Sequence, residues 1–311
     1  MRRKRTEPGG KPSVVAIGVG VAYGRGAGKR PVLEDVNLQA EQGSLTQVVG
    51  EPGSGKSTLL RILAALQKPT SGIVTVSGTP TSRLRPRRLA KLARTQVAPL
   101  FDDTTLIPSL SVMENLMLPG DLRRATIVPR ELDQVVDGLG LKPILNRRPH
   151  QLSESEAQLV RCGRLLLTPA PIVVADEPLR DLSSEQAAAV QDALRRVAFE
   201  DGKVVIASGQ KPWELSANTH VWKLSGGRLT EWAGGSDSVP VLREVDPASV
   251  VLEVEEPVSP ATLRSAAMLS APLAMPPSGS PRAPLSAEQQ EVVTRAQKIL
   301  DSLPGQVAPG P

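Results

Sequence analysis

Short apolar runs alternate with amphipathic stretches between residues 14 and 230 of this 311-residue chain. Val14–Tyr23 reads as a strand, Gly24–Lys29 as a flexible turn, and Pro31–Ala40, with Val32, Val36 and Leu38 apolar, as a second strand. Ser44–Val49, directly before a glycine-rich loop, reads as a buried strand. Leu59–Leu66 then reads as a helix stopped by Pro69, and Gly72–Ser77 as a short strand closed by Gly78. Arg83–Arg94 is basic, with Leu84, Leu89 and Leu92 spaced for one face of a surface helix, and residues 95–110 read as a loop punctuated by Pro99 and Pro108. Ser111–Met117, Arg130–Leu139 and Ser153–Leu167 read as helices, with a loop over Arg147–Gln151. Ile172–Ala175 is apolar without interruption, the mark of a strand buried on both faces. A helix over Ser184–Phe199, a strand over Val204–Ala207 and a closing hairpin across Gly226-Gly227 complete the pattern. Strands alternating with helices predict an α/β fold with a mostly parallel sheet.

The pattern fades after Trp232. Residues 1–12 form a basic tail, and residues 231–284 are rich in Gly, Ser, Pro and Ala, as a linker would be. Within the tail, residues 285–304 predict an amphipathic helix. Ser286 caps it, Gln289 completes a capping box, and Val292, Val293, Ala296, Ile299, Leu300 and Leu303 form its apolar stripe. Such a helix docks either on its own domain or in a partner's groove. Residues 305–311 read as disordered.

The net charge is +5, but the basic residues are scattered apart from Arg2–Arg5 and Arg83–Arg94. No aromatic side chains interleave with them, so no direct nucleic-acid partner is expected. A single cysteine, Cys162, excludes an internal disulfide and suits a reducing compartment. Arg2–Arg5 followed by Val14–Ala22 mimics a signal peptide, but Glu7, Pro8, Gly9, Gly10 and Pro12 separate the two parts. A cytosolic tail leading into the first strand is the better reading. No window reaches the roughly 20 apolar residues that span a bilayer.

The chemistry centres on Gly50-Glu51-Pro52-Gly53-Ser54-Gly55-Lys56-Ser57-Thr58, a G-x-x-x-x-G-K-[ST] pattern. Its glycines allow the positive φ that turns successive N–H groups toward a polyphosphate. Lys56 supplies a cation to the β- and γ-phosphates, and the Ser57 hydroxyl is a Mg²⁺ ligand. A strand before the loop and a helix after it make an anion site at a helix N-terminus. This stretch is expected to bind a nucleoside triphosphate. Asp176-Glu177 stands at the end of the buried strand Ile172–Ala175.

With these in order, residues 13–230 resemble the nucleotide-binding subunit of an ABC transporter. The run Leu106–Leu116 resembles the helical-subdomain segment of the lipoprotein-releasing and macrolide-exporter group. The resemblance implies a P-loop fold of the ABC type with an antiparallel β portion and a helical subdomain at about residues 95–165. It implies that Tyr23 stacks on adenine, that Asp176 holds Mg²⁺ through water, and that Glu177 polarises the attacking water. It implies ATP and Mg²⁺ as cofactors, an ABC-type membrane permease as partner, and a homodimer or a heterodimer with another ATP-binding subunit. The expected location is the inner face of the cell membrane, held there by the permease.

Four motifs depart from the family. The Q-loop glutamine is replaced by Asp102, still a possible Mg²⁺ ligand, in register behind Phe101; Gln96 offers a second register. The signature Leu-Ser-Gly-Gly-Gln reads Leu152-Ser153-Glu154-Ser155-Glu156. A carboxylate about 5 Å from a phosphate charge costs roughly 3 kcal/mol at an effective dielectric of 20. Ser153 and Glu156 also form a capping box, so the helix satisfies its own first donors. Gly209 stands at the switch-histidine position, and Leu182-Ser183 replaces the D-loop Leu-Asp. His150 and His220 fall elsewhere and read as surface residues. The expectation is an ATP-binding subunit that couples ATP binding, and slow or partner-dependent hydrolysis, to a permease. The alternatives are a nucleotide-binding regulatory or scaffold subunit, and a soluble ABC protein acting on nucleic acid or ribosomes.

Overall fold

The computed structural model describes residues 13–24, 30–123, 125–213 and 218–232. The expected basic tail, linker and helix 285–304 lie outside these residues.

Two sheets carry the described chain. β1 (Ser13–Tyr23) lies between β2 (Arg30–Glu41) and β4 (Ser71–Val76), and β5 (Thr79–Pro80) extends the edge of this antiparallel sheet. The second sheet has the order β10-β9-β3-β8-β7-β6, with β3 (Leu45–Val49), β6 (Val97–Leu100), β7 (Ile172–Ala175), β8 (Val204–Gly209), β9 (Thr219–Ser225) and β10 (Arg228–Glu231). All of its pairs are parallel except the β9–β10 hairpin.

The period of two along β7 and β8 divides the core. Ile172, Val174, Val204 and Ile206 face one cluster, shared with α1 (Lys56–Leu63) and the antiparallel sheet. Val173, Ala175, Val205 and Ala207 face the other, shared with α5 (Glu154–Leu166) and α6 (Ser184–Phe199). Each strand is buried on both faces, which is why both sequences are apolar without alternation.

Two local expectations are corrected. Residues 97–100, expected within a loop, form β6 against β7. Pro99 is tolerated because β6 is the edge strand, where one missing N–H leaves no neighbour unpaired. Burying Val97 and Leu100 contributes about 1.5–3 kcal/mol each, more than the roughly 0.5–1.5 kcal/mol of one ladder bond. The helix after the phosphate loop stops at Leu63 rather than Leu66, because Ala65 turns left-handed with φ 56°. The basic stretch forms α2 (Pro86–Gln96), which buries Leu89 and Ala93. α3 (Val112–Arg123) runs on past Met117 and contains Pro119, and α4 (Pro129–Gly138) follows it. Pro149–Gln151 is a single 3-10 turn.

Parallel register places the chemistry. Val49 lies opposite Gly209, and Ala175 opposite Ala207. The residues that follow these positions therefore emerge side by side at the C-terminal edge of the sheet, the usual ligand crevice of such folds. No helix among the described residues is long and apolar enough to cross a membrane.

Candidate functional site

The loop between β3 and α1 is shaped by its glycines. Gly55 is left-handed with φ 103°, and a Cβ there would press on the Val32 carbonyl oxygen at 3.1 Å. Gly50 packs so closely that a Cβ would run into the Leu224 carbonyl oxygen, and its N–H donates to the Gly209 carbonyl at 3.2 Å. The side-chain hydroxyl of Ser54 is buried and has no hydrogen-bond partner. An orphaned hydroxyl inside a positive-φ cradle suits an anionic oxygen. Glu51, Pro52, Gly53 and Ser57 are exposed along the loop, and Thr58 is half-buried.

Lys56 is buried and extends back along the loop. Its Nζ donates to the Gly50 carbonyl at 2.7 Å and the Glu51 carbonyl at 3.1 Å, and lies 3.5 Å from Glu177 Oε1. The structure thus brings the loop lysine and the strand-end carboxylate together, as the ordered motifs implied.

Ser208, on the neighbouring strand β8, knits the carboxylates. Its hydroxyl donates to Asp176 Oδ1 at 2.6 Å and accepts from the Glu177 N–H at 2.9 Å. Asp176 is buried, and this hydroxyl occupies only one of its two oxygens. Glu177 has φ 45° and Asp181 φ 62°, so two non-glycine residues bracket the following turn in left-handed conformations. Each such residue carries roughly 1–2 kcal/mol of strain, which the surrounding contacts must hold. Pro178 between them is anchored from α5, where Gln158 Nε2 donates to its carbonyl at 3.1 Å. The Cys162 thiol also approaches that carbonyl, at 3.5 Å, and burial pushes the thiol pKa up to about 12.

Arg180 was not singled out in the sequence. Its Nε and Nη2 donate to Glu177 Oε2 at 3.1 and 2.6 Å, while Nη1 donates to Asp102 Oδ1 at 2.6 Å. Hydrogen bonds donated first to Asp102, and then to Glu177, raise the guanidinium pKa above its ordinary value. These three residues, with Asp176, Glu154 and Arg161, line a cavity of about 190 Å³. On either side of Asp102, Arg61 of α1 stands 4.8 Å from the Phe101 ring centroid and pairs with Asp103 at 3.1 Å. Gln96, the other register considered, ends α2 and bonds Ser77 instead, with 3.0 Å between its Oε1 and the serine hydroxyl.

The helix α5 starts on its own cap. Ser153 Oγ accepts from the Glu156 N–H at 3.2 Å, and the Glu156 carboxylate accepts from the Ser153 N–H at 2.8 Å. The acidic substitutions are also paired, Glu154 with Arg161 at 2.5 Å and Glu156 with Arg147 at 3.3 Å. The repulsion expected from Glu154 is therefore reduced by a cation in the same helix. Ser183, which stands in the D-loop, caps α6 by accepting from the Gln186 N–H at 3.2 Å.

Tyr23 stands apart from the strand-end cluster. It ends β1 half exposed, and its hydroxyl accepts from Gln67 Nε2 at 2.9 Å, just beyond α1. Gly209 ends β8 with the Trp213 indole nearby; a Cβ there would stand 3.7 Å from Nε1. His150 is exposed, whereas His220 is half-buried on β9.

Comparison with known proteins supplies the relationship behind this geometry. Residues 33–180 match the family model described as ABC transporter. An uncharacterised ABC transporter ATP-binding protein of Mycobacterium tuberculosis is 32% identical over 224 residues, 70% of this chain and 89% of that protein. The chain belongs to the ABC transporter ATP-binding proteins. It is also similar to the lipoprotein-releasing system ATP-binding protein LolD of Bordetella pertussis, 34% identical over 68% of this chain and 93% of LolD. The solved dimer of the ATP-binding cassette MJ0796, bound to ADP and Pi in a post-hydrolysis state, covers 70% of this cassette at 28% identity and a TM-score of 0.61; the match covers 98% of that chain. The α/β fold of the ABC type is thus shared, and this chain is an ATP-binding subunit of that family.

Proposed function

We propose that this cassette binds Mg-ATP on Gly50–Thr58 and hydrolyses it slowly or in dependence on a partner, driving a separate membrane permease from the inner face of the membrane. The observation that carries this reading is the convergence of Lys56, Asp176 and Glu177 at one sheet edge, with Glu177 Oε1 3.5 Å from Lys56 Nζ. Lys56 would turn from the Gly50 and Glu51 carbonyls to the β- and γ-phosphates. Tyr23, half exposed at the end of β1, would stack on adenine. Ser57 and Asp176 would hold Mg²⁺, which neutralises phosphate charge when bound. Asp102 would join them only after leaving Arg180. Glu177 would orient a water and accept its proton as the water oxygen attacks the γ-phosphorus. The bond to the β-phosphate oxygen breaks, giving ADP and phosphate.

The facing subunit, a second copy or a different ATP-binding chain, would close the site with its α5 N-terminus. In this chain that terminus carries Glu154 and Ser155 where the family has glycines. Two such chains would therefore close weakly. Hydrolysis is tested by measuring ATP turnover of the purified chain, alone and with its permease, against Glu177→Gln. Wild-type turnover at least about a hundredfold above the variant in one of the two settings is expected, the scale of losing a general base. Equal rates in both settings would leave a nucleotide-binding regulatory or scaffold subunit.

A further inference from the structure

Glu177 is held from two sides, and the two cations differ in what a nucleotide does to them. Lys56 contacts Oε1 at 3.5 Å and is the group that phosphate oxygens would recruit, so nucleotide binding itself frees that oxygen. Oε2 takes two hydrogen bonds from Arg180, at 2.6 and 3.1 Å. None of the three hydrogen bonds from Arg180 goes to the loop, so filling the loop does not by itself replace them. Arg180 also pairs through Nη1 with Asp102 at 2.6 Å, and Arg61 pairs with the neighbouring Asp103 and stands over the Phe101 ring. The clamp therefore reaches from the turn after β7 to the turn after β6. Glu177 is 19% exposed and Arg180 43%, so the pair is shielded mainly on the carboxylate side.

A carboxylate whose oxygens are both engaged by cations is a poor acceptor for a water proton. Losing Lys56 to the phosphates frees Oε1, but the two Arg180 hydrogen bonds on Oε2 still fix the direction in which the carboxylate points. We propose that Arg180 is a positioning residue that holds Glu177 away from the attacking water after ATP has bound, so that turnover waits for the turn Glu177–Asp181 to move. This rests on Glu177 being the general base proposed above. The left-handed residues at 177 and 181 mark the two points where that turn would hinge. A subunit packing against this turn would shift it, which gives the clamp its release and makes turnover partner-dependent.

The clamp makes a kinetic and a structural prediction, both read on the full chain. Arg180→Ala should raise kcat about two- to tenfold, the scale of one exposed to half-buried charged pair, while KM for ATP stays within about twofold. Arg180→Lys keeps a charge within reach and should return kcat toward wild type. A thermal-stability double-mutant cycle between Arg180→Ala and Glu177→Gln should show coupling both without nucleotide and with saturating Mg-ATP. An unchanged or lower kcat in Arg180→Ala would overturn the proposal, as would coupling that vanishes when Mg-ATP binds. If wild type and Glu177→Gln turn over equally, hydrolysis itself fails, and the double-mutant cycle then decides the clamp alone.

Discussion

Glu177 is where most of the chemistry and most of the surprise meet. Its place at the end of β7 was readable, because an uninterrupted apolar run followed by Asp-Glu is a buried strand ending in carboxylates. Its partners were not. Arg180 Nη1 reaches Asp102 across 78 positions of sequence, and no periodicity encodes a contact between two turns. Ser208 was equally silent, a serine after an apolar strand, until parallel register set it beside Asp176. His220 corrects a simpler expectation. It is half-buried rather than on the surface, and burial lowers its pKa, against smaller opposing effects of Glu41 and Glu231. The unfolded chain therefore binds the imidazole proton more readily than the native one does, and stability falls as pH drops below the ordinary value of 6.5. Thermal midpoints between pH 7.5 and 5.5 should fall less in His220→Gln than in wild type; parallel losses would contradict this.

At the scale of elements, local chemistry was legible wherever a local rule decides. The capping box of α5 was written in Ser153 and Glu156, and both of its hydrogen bonds are present. The same rule applies to Ser183 and Gln186 at the start of α6, where both capping hydrogen bonds are also present. β6 was missed because Pro99 reads as a breaker, and only the sheet order shows that it sits at an edge. A self-sufficient cap has a measurable consequence. Ser153→Ala should lower unfolding stability by about 1 kcal/mol, read as a shift of the urea midpoint at constant slope. No shift would mean that α5 is held by its packing alone, through buried residues such as Leu159, Val160 and Leu165.

For the molecule as a whole, sheet order does what motifs alone cannot. It places the phosphate loop, Asp176-Glu177 and Ser208-Gly209 on three adjacent strand ends of one chain. In the proposed function the other side comes from a facing α5 N-terminus, where this chain carries Glu154 and Ser155. The sequence alone put the electrostatic penalty at roughly 3 kcal/mol for one unpaired carboxylate. Arg161 on Glu154 and Arg147 on Glu156 lower that figure, leaving bulk as much as charge to keep two copies apart. An intact cradle with an altered closing face is the centre of this account.

The most direct test is sedimentation of the chain with saturating Mg-ATP, in a Glu177→Gln background that prevents turnover, with and without Glu154→Gly and Ser155→Gly. The two glycines are expected to strengthen ATP-driven pairing by about tenfold, roughly 1.4 kcal/mol. Pairing as tight without the glycines as with them would contradict it.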